Sequence, residues 1–154
     1  MSFEKMRLRH ARQLFSFIFG VSGEDFLPDD CEVEISPATG KLRRIWLDGK
    51  CLATVRPMDG MISLTVDGGR RLLGFLDGVR HMVVVDDKGV KRVVDGFDVS
   101  PANVLEADPA IVPGSEVLVV DVNRRLVGVG KAVLSGREMT GLKRGVAVKV
   151  RHKV

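Results

Sequence analysis

Between Arg124 and Lys153 the sequence places nine cations, Arg124, Arg125, Lys131, Arg137, Lys143, Arg144, Lys149, Arg151 and Lys153, against a single carboxylate, Glu138. Lysine ammonium groups and arginine forks in such excess suit phosphate, and their attraction is salt-sensitive because bound phosphates release counterions. The excess is local. Residues 1–77 hold 11 Lys/Arg and 11 Asp/Glu, so the whole net charge of +4 comes from residues 78–154. Lys149 and Arg151 alternate with Val148 and Val150, which predicts one exposed strand face that also carries Lys153. The SGREM segment adds Arg137; Glu138 either orients it by a salt bridge or belongs, with a core Met139, to a structural turn, and the turn is the favoured reading.

Covalent chemistry is poorly provided for. There is no P-loop, HExxH or GxSxG pattern, and Gly128 and Gly130 lack the third glycine of a dinucleotide loop. Two cysteines, Cys31 and Cys51, and three scattered histidines, His10, His81 and His152, make a poor zinc set, so no metal or cofactor is expected. An enzymatic reading would have to rest on Arg56, Asp59 and His81, which form no nucleophile–base pair by spacing. The start of the chain lacks the apolar stretch of a signal peptide, and no run reaches the ~20 apolar residues of a membrane span. A cytoplasmic protein with reduced, buried thiols is the expectation.

The elements that must position the cations follow from period and punctuation. Residues 3–19 carry apolar side chains at three- and four-residue steps, with Lys5, Arg7, Arg9 and Arg12 between them and Gly20 as a stop. From Cys31 the period changes to two. CEVEIS, LRRIWLDGK with a turn at Asp48-Gly49, CLATVRP ended by Pro57, and MISLTVDG read as four antiparallel strands, followed by a short helix in GRRLLGFLDG. After Val79, VRHMVVV reads as a strand and VKRVVDG as another, running into Gly96. PANVLEADP reads as a helical or turn segment. EVLVVDV and RLVGVGKAVLS form a hairpin around Asn123-Arg124, REMTGLKRG is a connection, and GVAVKVRHKV is a last strand. Gly128 and Gly130, two apart in one strand, imply close backbone approach on one face. The fold class is α+β: a small N-terminal α+β domain with an antiparallel sheet over residues 1–77, then a small β-barrel over residues 78–154.

From Val112 to Val154 the chain carries PGSEVLVVD, then GVGKAVLSGREM, then KRGVAVKVRH, in that order. This stretch resembles the PUA domain shared by pseudouridine synthases and archaeosine tRNA-guanine transglycosylases. The first half carries S-x-x-T-G at Ser36–Gly40, T-x-R-P-x-D-G at Thr54–Gly60 and G-G-x-R-L at Gly68–Leu72. It is similar to the domain that precedes PUA in the archaeal transglycosylases. The resemblance implies a non-catalytic RNA-binding protein that holds tRNA, with a separately encoded transglycosylase catalytic subunit as partner, because the family's catalytic barrel and zinc site have no counterpart in these residues. A stand-alone PUA adaptor in translation or ribosome assembly is the alternative. By the resemblance, Gly96 opens a helix where RNA backbone approaches, with Phe97 beside it. The basic residues named above, from Arg124 to Arg151, line the RNA surface. Arg43, Arg44, Arg70 and Arg71 would extend it.

Overall fold

The computed structural model describes residues 2–154. The chain divides into two compact units, Met1–Phe75 and Leu76–Val154.

The N-terminal unit opens with α1, Phe3–Phe19. The Ser2 hydroxyl accepts from Lys5 N–H at its start, and Gly20 closes it at φ 67°, a left-handed cap that glycine adopts without strain. The helix buries Leu8, Ala11, Phe15 and Phe19 on one stripe. Phe15 stacks on Phe26 from the short helix α2, Gly23–Phe26, with ring centroids 4.7 Å apart. Four strands follow in a simple meander: β1 Glu32–Ile35, β2 Leu42–Leu47, β3 Lys50–Val55 and β4 Ile62–Leu64, paired antiparallel in sequence order. The fourth strand is shorter than its apolar run implies. The Thr65 hydroxyl accepts from Gly68 N–H and starts α3, Val66–Leu73, several residues early. Gly68 lets that helix lie on β3; a Cβ there would sit 1.8 Å from Leu52 O.

The C-terminal unit contains β5 Met82–Val85, α4 Asp87–Val94, a 3₁₀ turn at Pro101–Asn103, β6 Val104–Ala107, β7 Glu116–Val120, β8 Leu126–Ala132, α5 Gly136–Gly141 and β9 Val148–Lys153. Its five-stranded sheet has the order β6-β5-β7-β8-β9. The β5–β7 pair is parallel and the rest are antiparallel. Valines 83, 85, 117, 119, 127 and 148 join Met139 of α5 and Val93 of α4 in one core.

Two segments differ from the sequence expectation. VKRVVDG is not a strand. The Asp86 carboxylate accepts from Gly89 N–H and nucleates α4, which turns Val93 into the core. The β-branched composition of that run had favoured a strand, but the cap and the burial of Val93 override it. Within PANVLEADP only three residues are helical, and Val104–Ala107 forms edge strand β6. The hairpin at Asn123-Arg124 forms as read, with Arg124 at φ 63°.

Candidate nucleic-acid interface

Gly96 ends a helix rather than opening one. Its N–H donates to Val93 O and the Phe97 N–H donates to Arg92 O, the paired bonds of a Schellman cap on α4. The φ of 94° there requires glycine, and a Cβ would meet nothing within 4 Å. Helix carbonyls, not free N–H groups, therefore face this turn, so a phosphate held at a helix N-terminus is not the chemistry on offer. What the cap presents is Phe97. That residue is 56% exposed, with the Arg92 guanidinium 5.2 Å from its ring centroid. Val94 is also exposed, and Lys153 Nζ donates to Val94 O at 2.5 Å. An open aromatic ring under a guanidinium is a stacking platform for a nucleobase.

The chain after Phe97 is fastened to β9. The Asp98 carboxylate accepts from Val150 N–H at 2.9 Å, so its charge is turned into the fold. Val99 exchanges backbone bonds with Ala147 and Val148. The end of α4 and the edge strand β9 thus form one seam.

On the sheet itself, Glu116, Lys131 and Lys149 lie in one row across β7, β8 and β9. Arg151 reaches Glu116 with both terminal nitrogens, which offsets its charge. The register shift between Val129 and Gly130 makes Arg151 an extra residue on β9. Lys153 is thereby moved off the Lys149 face, contrary to the alternation read from sequence. Arg124 is also engaged internally: its guanidinium donates to Gly78 O and Leu76 O. Glu138 does not orient Arg137. It completes a capping box with Ser135 at the start of α5, and those bonds hold its carboxyl below the ordinary range. Arg125, Lys131, Arg137, Lys143, Arg144 and Lys149 are exposed and, among the described residues, have no carboxylate in ion-pairing range.

In the N-terminal unit, Arg71 is a strut. Its guanidinium donates to Phe26 O and Asp25 O and lies over the rings of Phe26 and Phe75. Arg70 lies 3.9 Å from Asp67, and Arg44 pairs with Glu34. Sequence reading missed Arg92, because a strand does not set residue 92 beneath Phe97. Asp86 followed by Val90, Val93 and Val94 at helical steps was the available signal.

Among the described residues no group of three His, Cys, Asp or Glu could hold a metal, and no helix is long and apolar enough to cross a membrane. Both cysteines are free and half-buried. Burial, then the Asp30 charge, pushes the Cys31 thiol up to about 11, and burial raises Cys51 as well. The thiolate is the nucleophile, so alkylation of Cys31 by iodoacetamide should climb about ten-fold per pH unit between pH 8 and 10. Mass spectrometry of the labelled chain checks this; a plateau by pH 9 would contradict it.

Residues 9–78 match the family described as patch-forming domain C2 of tRNA-guanine transglycosylase, and residues 81–154 match the PUA domain. The chain is 39% identical to the tRNA-guanine(15) transglycosylase of Pyrococcus abyssi over 147 residues, 96% of this chain and 25% of that protein. It is 40% identical to archaeosine synthase subunit alpha of Thermococcus kodakarensis over 144 residues, 93% of this chain and 23% of that one. A solved structure of a hypothetical protein from Pyrococcus horikoshii matches with a TM-score of 0.78 at 27% identity, covering 99% of this chain and 92% of its own. The chain spans about a quarter of the length of these two curated relatives.

Proposed function

We infer, from a chain that pairs patch-forming domain C2 of tRNA-guanine transglycosylase with a PUA domain, that it binds RNA through its C-terminal unit and that the RNA is tRNA. The observation that carries RNA binding is the seam of α4 and β9. There an exposed aromatic residue under a guanidinium shares one unit with cations that, among the described residues, have no carboxylate in ion-pairing range. Stacking supplies sequence-tolerant affinity and the cations supply the electrostatic part. The narrowing to tRNA is supported by similarity over nearly the whole chain to proteins named for acting on it. In this reading the chain is the RNA-holding module and works alongside a transglycosylase catalytic unit. Gly96 and Phe97 form the contact at the seam. Lys131, Lys149, Arg125, Arg137, Lys143 and Arg144 attract the backbone. Arg124 and Arg151 serve the fold first, through the carbonyl and carboxylate they already hold.

Joint replacement of Lys131, Arg144 and Lys149 by alanine tests the reading. With an unmodified tRNA transcript, affinity should fall, and the slope of log K against log salt should flatten by roughly 0.7–0.9 for each phosphate that is no longer neutralised. The fold should persist, since all three side chains are exposed. An unchanged slope would place the RNA surface elsewhere. Preference for ribosomal RNA over tRNA in the same titration would support the translation adaptor instead.

A further inference from the structure

Aspartate followed by glycine occurs five times, at Asp48-Gly49, Asp59-Gly60, Asp67-Gly68, Asp77-Gly78 and Asp95-Gly96. The pair carries a chemistry of its own. The glycine backbone nitrogen can attack the aspartate Cγ, because the glycine has no Cβ to screen it. The N–Cγ bond forms, the carboxyl hydroxyl leaves with the amide hydrogen as water, and a cyclic imide results. Water then opens the ring. Cleavage at Cγ restores aspartate, while cleavage at the backbone carbonyl leaves the chain running through Cβ and Cγ, as isoaspartate. One water leaves and one returns, so no other reactant is needed. The fold must offer a glycine N–H without an acceptor, a carboxyl without partners, and space for the ring.

Three of the five pairs are held. Gly60 N–H donates to Arg56 O at 2.8 Å, and the Asp59 carboxylate accepts from Met61 N–H at 3.0 Å and lies 3.3 Å from Arg56 Nε. Gly68 N–H donates to the Thr65 hydroxyl at the start of α3, and Gly96 N–H donates to Val93 O in the cap of α4. Gly78 N–H has no acceptor among the described residues, but the carbonyls on either side of Asp77, those of Leu76 and Gly78, both accept from the Arg124 guanidinium. Asp48 and Gly49 differ from all of these. They form the loop of the β2–β3 hairpin, between the paired Leu47 and Lys50, at φ 51° and 78°. Among the described residues the Gly49 N–H has no acceptor, and the Asp48 carboxylate holds no hydrogen bond or ion pair. Both residues are exposed, and nothing lies within 4 Å of where a Gly49 Cβ would stand.

We propose that Asp48 is a modification site, the position at which the folded chain isomerises to isoaspartate. The product adds one methylene to the backbone between Leu47 and Lys50, and hairpin register is fixed by loop length. The Leu47–Lys50 pair is lost first, and Trp46 opposite Cys51 is the next to loosen. The isoaspartyl residue also carries a free α-carboxylate. That oxygen takes a methyl group from the sulfonium of S-adenosylmethionine, so an isoaspartyl methyltransferase is the class of enzyme that acts on it.

The test incubates the full chain at neutral pH, folded or in urea, and then digests it. Mass spectrometry with electron-transfer fragmentation quantifies isoaspartate at each Asp-Gly pair. In urea the pairs should react at similar rates, since each offers the same local chemistry. In the folded chain Asp48 should lead Asp59, Asp67 and Asp95 by roughly five-fold or more, the factor that corresponds to breaking one ~1 kcal/mol hydrogen bond before the attack. Methyl incorporation from labelled S-adenosylmethionine, catalysed by an isoaspartyl methyltransferase, should grow with incubation time. Most of it should be lost in Asp48→Glu, whose longer side chain closes the ring more slowly. Arg124→Ala should raise the rate at Asp77 and leave that at Asp48 unchanged. The site-by-site comparison needs no substitution, so it stands even if a variant fails to fold. A folded chain in which Asp48 reacts no faster than Asp59, Asp67 or Asp95, or in which Asp77 leads, overturns the proposal.

Discussion

Phe97→Ala should weaken binding of a single-stranded RNA oligonucleotide by roughly 5- to 150-fold, the equivalent of the ~1–3 kcal/mol that one base–aromatic stack contributes. Phe97 is more than half exposed and its ring lies against the Arg92 guanidinium, so little packing goes with it. Thermal stability should hold, because the two backbone bonds that cap α4 do not involve the side chain. Phe97→Tyr keeps the π face and should bind nearly as well. Arg92→Ala differs in kind: it removes a charge and uncovers the ring, so affinity and salt slope fall together. Fluorescence anisotropy with a labelled oligonucleotide at two salt concentrations separates these outcomes. Affinity within two-fold of the unsubstituted chain for Phe97→Ala would remove the stacking platform from the interface.

Local devices were legible in the sequence and distant partnerships were not. The limits of α1 follow from Ser2 and Gly20, whose cap geometries are set within one helical turn. The meander and the Asn123-Arg124 hairpin follow from alternation and turn chemistry. The segment after Val85 was misread because Val90, Val93 and Val94 satisfy a strand by composition, while the Asp86 cap decides the matter with one side-chain bond. The cationic site suffered in the same way. Charge and type singled out Arg124 and Arg151 alongside Lys149. Yet Arg124 is held by carbonyls 46 and 48 residues away, and Arg151 by a carboxylate 35 residues away. No periodicity encodes such partners. The extra residue at Arg151 likewise shifts Lys153 to the opposite face, and a bulge leaves no trace in an alternating pattern.

Gly130→Ala should be the most damaging single methyl addition in the C-terminal sheet. The two glycines of β8 were read from sequence as a site of close backbone approach, and the structure supplies the distance: a Cβ on Gly130 would lie 2.2 Å from Lys149 O and 3.0 Å from Val150 Cα. Both obstacles are backbone, so no rotamer change relieves them. The β8–β9 pair must separate, and β9 is tied on its other side to Val99 and Asp98. Overpacking of this severity costs about 3 kcal/mol, a large part of the ~5–15 kcal/mol that holds a domain folded. A midpoint drop of roughly 12–24 °C follows for a unit of this size. Gly128→Ala should be milder, since its nearest obstacle, His152 O, is 2.9 Å away. Gly141→Ala, with nothing within 4 Å, is the control that should leave stability unchanged or slightly raised. Thermal unfolding followed through the amide signals of Val117 to Val120 reports on this sheet directly. If Gly130→Ala melts with the control, the strands are not in the contact that sets Lys149 beside Lys131, and the cationic row on which RNA binding depends loses its geometric basis.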